Sequence, residues 1–218
     1  MTGSTLSGHK VRKLEFHFAE ALEKDYKAVI GSGGDVSNYC RAIAVAGKEL
    51  GFNVHLIQYG VTCKTGVRLE IEGEPAYILP VGDPGDPAIY AYIDTFHELF
   101  LQGVTEEFTD LVVSCGRCIT TSAFIIGNYL TGGKLRIHAL SVNRSKTQCR
   151  MRIADMLQIS GFLQLVGNGV DAEDLVSVVE ASREPKYGVF CDEHLGVTTV
   201  YKKMGFSSKR KTFSHYIG

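Results

Sequence analysis

The sequence has no surplus of either charge: the net charge is -1, with 22% charged and 44% hydrophobic residues. That balance excludes the basic stripe of a nucleic-acid binder and the polarity of a disordered chain, and it favours a small neutral or zwitterionic partner. No apolar run reaches the ~18 residues that a membrane span needs, so no membrane partner is expected. The first residues, Met-Thr-Gly-Ser-Thr-Leu-Ser-Gly-His-Lys, lack the charged-then-apolar order of a signal peptide, and a cytoplasmic location is expected. Repeats and low-complexity tracts are missing too; only Lys209-Arg-Lys211 reads as a loose basic tail.

Three catalytic signatures are also absent: His-Glu-x-x-His, Gly-x-Ser-x-Gly and Gly-x-x-x-x-Gly-Lys. His9, His17, His55, His97, His138, His194 and His215 are therefore read as packed or surface residues. The six cysteines are scattered over 218 residues, a length that builds a core without staples, so they are expected as reduced, mostly buried thiols. Only Cys115 and Cys118 are close enough to form a motif. No second pair of ligands stands at zinc-binding spacing, and no metal is expected.

What is present is an alternation of periods. Val11, Leu14, Phe18 and Leu22 step by three and four and predict a helix from Lys10 to Lys24. A short buried strand, Ala28 to Ile30, precedes a glycine break at Gly31-Ser-Gly-Gly34. Val36, Cys40, Ile43, Ala44 and Leu50 then predict a helix, and Asn53 to Ile57 a strand. Val61 to Gly73 reads as a hairpin-like excursion, Tyr77 to Val81 as a strand, and Ala88 to Gln102 as a helix. Leu111 to Ser114, Ile119 to Leu130, Arg136 to Val142 and Thr147 to Val166 read as strand, helix, strand and one long helix. The alternation of strands and helices makes an α/β fold with an open, mostly parallel sheet covered on both faces. Ligands of such sheets sit at the carboxyl ends of strands, where both the glycine break and the loop after Ser114 fall.

Glycines after a strand turn the chain with positive φ and bring amide N–H groups near a ligand, while the next helix offers its unpaired N-terminal donors. Taken alone, Ser37 and Asn38 are better explained as helix caps. Asp83 and Asp86, in Gly-Asp-Pro-Gly-Asp-Pro87, are read as turn formers rather than metal ligands. Lys13 is read as a residue of the helix surface, and Arg41 either as a surface ion-pair residue or as part of the site's framework.

Ser7-Gly-His-Lys-Val-Arg-Lys-Leu-Glu-Phe16 followed by Gly31-Ser-Gly-Gly-Asp-Val-Ser-Asn-Tyr-Cys-Arg-Ala42 resembles the paired signature of one enzyme family. It is the pyridoxal-phosphate family of D-cysteine desulfhydrase and 1-aminocyclopropane-1-carboxylate deaminase, with its tryptophan synthase beta-like fold type II. Tyr77-Ile-Leu-Pro-Val-Gly82 with Tyr92-Ile-Asp, Leu111 through Ser141, and Pro185-Lys-Tyr-Gly188 are similar to later blocks of the same family. The resemblance runs from about Leu6 to Met204. It implies a pyridoxal 5'-phosphate cofactor, a small amino-acid substrate and a homodimer of this chain, with a single α/β unit over 1–218 in which any small lobe is reduced to about 28–100.

Carried over position by position, Lys10 matches the lysine that joins the cofactor's aldehyde and then serves as a base. Asn38 matches the asparagine at the cofactor's phenolic oxygen, and Ser37 the serine near the substrate carboxylate. Tyr187 matches a tyrosine beside the substrate, and Cys115, Gly116 and Thr120 fall in the phosphate loop. His9 stands where the family has asparagine. The loop Gly116-Arg-Cys-Ile-Thr120 departs from the family's Gly-Ser-Gly-Gly-Thr, and the β-carbons of Cys118 and Ile119 are expected to disfavour positive φ and crowd an anion. Relatives also carry a strand region before the lysine helix, a longer small lobe and a C-terminal segment facing the pyridine nitrogen, so the resemblance implies a truncated or divergent member. The reading that follows is a lyase or deaminase releasing a 2-oxo acid and ammonia, with sulfide if cysteine is the substrate. Its rivals are a non-catalytic relative that binds a ligand or partner, and a thiol-redox protein using Cys115 and Cys118.

Overall fold

The computed structural model describes residues 6, 8–34, 37–59, 75–167 and 172–180. In chain order these form α1 (Lys10–Glu23), β1 (Ala28–Gly34), α2 (Asn38–Glu49), β2 (Asn53–Tyr59), β3 (Ala76–Ile78), α3 (Ala88–Leu101), α4 (Val104–Glu107), β4 (Asp110–Cys115), α5 (Ile119–Leu130), β5 (Arg136–Ser141), α6 (Lys146–Ile159), α7 (Phe162–Val166), α8 (Ala172–Leu175) and β6 (Ser177–Glu180). The excursion expected over Val61 to Gly73 lies outside the described residues. Two compact units divide the chain, Met1–Thr95 and Phe96–Gly218.

Every described strand pairing is parallel, as the strand–helix alternation predicts. The strands form two three-stranded sheets, ordered β2-β1-β3 in the first unit and β4-β5-β6 in the second. In the first sheet β1 is central, and Ala28 and Val29 are fully buried beneath a core of Leu14, Phe18, Ala21, Tyr39, Ala42, Ile43, Phe52 and Leu79. The buried face of α1 runs through Lys13, Leu14, His17, Phe18 and Ala21. Leu22, which the periodicity places on that face, is exposed.

The glycine stretch is not a break. β1 continues through Gly34, pairing Gly31 with Leu56 and Gly34 with Tyr59, and neither Gly31 nor Gly33 adopts a left-handed φ. Their role is close approach. A β-carbon on Gly33 would stand 2.5 Å from Ser37 Oγ and 2.7 Å from Cys40 Sγ, and one on Gly31 would stand 2.5 Å from Ile43 Cδ1. The glycines let α2 lie directly on the strand that feeds it.

In the second unit α5 is buried on nearly all sides, from Ile119 through Asn128 with only Thr120 half-exposed. Asn128 ends that burial by donating to the Leu135 carbonyl at 2.8 Å and accepting from the Leu135 N–H at 3.1 Å, which ties the helix end to the start of β5. α6 begins with a capping box between Ser145 and Gln148. The long helix expected from Thr147 to Val166 is two helices, because Gly161 takes a left-handed φ of 78° and interrupts the ladder between α6 and α7. The short elements α4, α8 and β6 carry too few residues for periodicity to find them.

Gly127 sits where α5 meets Phe96, and a β-carbon there would lie 2.6 Å from Phe96 Cβ. Phe96 is wholly buried and cannot swing aside. Gly127→Ala is expected to destabilise the chain by about 1–3 kcal/mol, read as a lower denaturant midpoint at unchanged m-value.

Candidate active site

His9 and Lys10 open α1. No side chain caps this end of the helix. Instead the His9 ring tilts against Tyr92, with centroids 5.8 Å apart. Burial, with Lys10 beside it, lowers the His9 imidazole to about 4, so it is neutral at physiological pH. The half-buried Lys10 amine has no ion pair among the described residues. Burial first, and the positive charge of Lys13 second, lower it from 10.5 to about 8. At a given pH that leaves roughly 300-fold more neutral amine than an ordinary lysine has.

Lys13, one turn on, is not a helix-surface residue but is buried at 4% exposure. Its Nζ lies 2.6 Å from Asp86 Oδ2 and 5.0 Å from the centroid of the Tyr39 ring. Asp86 is also buried, and its Oδ1 accepts from the Ala88 N–H at 2.9 Å, so it begins α3 as well as pairing with Lys13. His17 Nε2 approaches the same oxygen at 3.1 Å, out of line for a full hydrogen bond. Burial pushes the Asp86 carboxyl up, but His17, Lys13 and the Ala88 N–H outweigh it and hold it at about 2. Tyr77 extends the network by donating to Glu20 Oε2 at 2.6 Å, with its hydroxyl 3.4 Å from His17 Nδ1. Spacing alone does not reveal Lys13 and Asp86 as partners, because 73 residues separate them. The available signal was a lysine flanking the apolar stripe of α1 and an aspartate between two prolines at a helix start.

Ser37 is the N-cap of α2, its Oγ accepting from the Cys40 N–H at 3.2 Å. Half-buried Asn38 is the first residue of that helix, and the next residue, Tyr39, donates to the Pro80 carbonyl at 2.9 Å. Arg41 points outward and is exposed. Lys10, Ser37 and Asn38 therefore all belong to the first unit, at the openings of two helices that Lys13 links through Tyr39 and Asp86. Tyr187 lies outside the described residues.

The loop after β4 belongs to the second unit. Cys115 ends the strand fully buried, and Gly116 and Thr120 are half-buried. The Gly116 carbonyl accepts from Arg144 Nη1 at 2.8 Å. Cys118 adopts φ 69° despite its β-carbon, and it caps α5 without a side-chain hydrogen bond. The Cys118 and Ile119 side chains are buried at 3% and 8% exposure. The expectation that Cys118 would resist the left-handed turn is thus corrected: core packing holds the conformation that glycine would take by default.

Cys118 Sγ lies 2.8 Å from Cys115 Sγ, and α6 brings the buried Cys149 into the same cluster. The hydrogen bond with Cys118, against the upward push of burial, lowers the Cys115 thiol to about 7. Cys118 is raised, by its bond to Cys115 and by burial, and burial also raises Cys149. Cys149 is 31 residues from Cys118 in a different helix, so nothing in the spacing groups it with the pair.

No family model matches the chain. It is 30% identical, over 83% of its length, to the mitochondrial bifunctional D-cysteine desulfhydrase/1-aminocyclopropane-1-carboxylate deaminase of Arabidopsis thaliana, covering 54% of that protein. It is 22% identical, over 72% of its length, to the D-cysteine desulfhydrase of Yersinia pestis (strain Pestoides F), covering 59% of it. The chain thus spans little more than half the length of these curated relatives. In fold it is similar to the crystal structure of an ACC deaminase homologue, with TM-score 0.69 at 19% identity, covering 97% of this chain and 74% of that one. It also resembles a hydrogen sulfide-producing enzyme of Fusobacterium nucleatum, with TM-score 0.55 at 11% identity, over 95% of this chain and 77% of that one. Among the described residues no helix is long and apolar enough to cross a membrane.

Removing one member of a buried ion pair strands the other's charge. Asp86→Asn is expected to cost about 3–5 kcal/mol at neutral pH, measured by chemical denaturation. The carboxyl is depressed from 3.8 to about 2 in the fold, so its contribution is complete above 3.8 and disappears as pH falls through about 2. Acid unfolding curves of the wild type should show that loss, and those of Asp86→Asn should lack it.

Proposed function

From the premise that the chain belongs to the D-cysteine desulfhydrase/1-aminocyclopropane-1-carboxylate deaminase family, we propose that it is a pyridoxal-phosphate-dependent lyase or deaminase. Its substrate would be a small amino acid, D-cysteine or 1-aminocyclopropane-1-carboxylate. D-cysteine would give pyruvate, ammonia and sulfide; the cyclopropane substrate would give a 2-oxo acid and ammonia. A homodimer of the chain is part of the same proposal.

The observation that carries this reading is the Lys10 amine, half-buried, without an ion pair among the described residues and lowered to about 8. A lysine that serves as nucleophile and base must lose its proton near neutral pH, and desolvation beside a second cation is a recognised way to achieve that. Lys13 supplies the cation, and Asp86 pairs with it at 2.6 Å.

Pyridoxal phosphate, when bound, supplies an electron sink for the carbanion left by loss of a carbon-bound proton. The roles left to this chain are holding and moving protons. Lys10 Nζ takes the proton from the substrate carbon and returns one to product. Asn38, at the first turn of α2, offers its side-chain amide to the cofactor's phenolic oxygen. Ser37 donates its hydroxyl proton to the substrate carboxylate while its lone pair still accepts from the Cys40 N–H. His9, neutral and held against Tyr92, adds no positive charge that would oppose a cationic amine in the pocket. Tyr187 keeps its proposed place beside the substrate.

Reconstitution of the full chain with pyridoxal phosphate, followed by borohydride reduction and peptide mapping, tests this directly. The expected result is one cofactor mass on the peptide containing Lys10 and on no other, with sulfide release from D-cysteine abolished in Lys10→Ala. Protein that stays colourless and unlabelled under cofactor excess would leave the non-catalytic relative as the better reading.

A further inference from the structure

Three thiols stand together in the second unit without a part in the lysine chemistry. Cys115 ends β4, Cys118 precedes the first turn of α5, and Cys149 lies in the first turn of α6. Their sulfur atoms all lie within 4.8 Å of one another, and the three residues are buried at 0%, 3% and 0% exposure. Sulfurs so disposed share a centre close to a metal–sulfur bond length from each, about 2.3 Å for zinc. The left-handed backbone of Cys118 closes a Cys-x-x-Cys chelate across the Gly116-Arg117 turn. A disulfide needs only two sulfurs. The third, delivered by a separate helix, is what a chelated ion uses and a disulfide does not.

The neighbours set the kind of ion. Among the described residues no carboxylate or imidazole joins the cluster. One adjoining polar atom is the Ser141 hydroxyl, which accepts from Cys149 Sγ at 3.2 Å. A donor set of sulfur alone selects a soft, closed-shell cation and rejects magnesium, calcium and manganese. The sulfurs lose their protons to solvent as the bonds form, so three thiolates around zinc(II) retain one negative charge and around copper(I) two. Arg144, tied to the Gly116 carbonyl at 2.8 Å, and the amino end of α5 face that charge.

We infer that Cys115, Cys118 and Cys149 form a site for one thiophilic closed-shell ion, zinc(II) or copper(I), with zinc leaving the smaller buried charge. The inference is independent of Lys10 and of whether the same loop takes a phosphate. The site fixes the strand end and the first turns of two helices relative to one another.

The full chain, reduced with a phosphine and stripped of metal, is titrated with cadmium(II) as an optical probe and then competed with zinc(II) and with chelator-buffered copper(I). A thiolate-to-metal charge-transfer band should saturate at one ion per chain, and the competitor that displaces cadmium at the lower free concentration identifies the preferred ion. In wild-type protein the bound ion should shield Cys115, Cys118 and Cys149 from alkylation, with no change at Cys40, Cys63 and Cys191. Cys149→Ser should weaken binding at least tenfold, and Cys40→Ser should not. Absence of the band, shielding that leaves out Cys149, or unchanged affinity in Cys149→Ser would each overturn the site, and the wild-type mapping requires no variant to fold.

Discussion

The buried pair of Lys13 and Asp86 is the constraint on which the first unit turns. Two charges removed from water are costly, and only close geometry with further hydrogen bonds offsets that cost. Here the ammonium has a carboxylate at 2.6 Å and an aromatic face at 5.0 Å, while the carboxylate also accepts the first amide of α3. One interaction therefore ties α1, the opening of α2 and the start of α3 together. It also places a positive charge one turn from Lys10. The lowered Lys10 amine follows from that placement together with burial, so the stability of the unit and the reactivity of its candidate nucleophile share a cause.

Much of the architecture is legible in the sequence because parallel sheets write plainly. Apolar runs such as Ala28-Val29-Ile30 and Leu111-Val112-Val113 alternate with helices, and the boundaries of α5 follow directly from Ile119 to Leu130. What is illegible depends on contact. The glycines of β1 resemble a turn in one dimension, and only the approach of Ile43, Ser37 and Cys40 explains them as strand residues. Gly161 divides a helical pattern that periodicity carries straight through, because a single left-handed residue leaves the apolar spacing almost intact. Short pieces such as β6 fall below the length at which a period can be recognised.

The candidate site divides in the same way. Lys10, Ser37 and Asn38 are found by motif, and the fold puts them at the openings of two helices in one unit. Ser37 is the cap of α2, and in the proposed site the same hydroxyl would accept from the Cys40 N–H and keep its own proton to donate. Lys13 is missed because a lysine on an amphipathic helix is ordinarily solvated, and its exception requires a partner 73 residues away. Cys149 is missed for the same reason, as a third thiol arriving from a distant helix. Both omissions are long-range pairings of polar groups inside a core, the class of information that local patterns do not hold.

The proposed chemistry of the first unit rests on the proton affinity of one amine. Competitive amine labelling across pH, read by peptide mass mapping, measures it residue by residue without cofactor or substrate. Lys10 should titrate near 8 in the native chain and move part of the way back toward 10.5 in Lys13→Met, because burial is the larger cause and remains. A native Lys10 that titrates at 10.5, indifferent to Lys13, would contradict it.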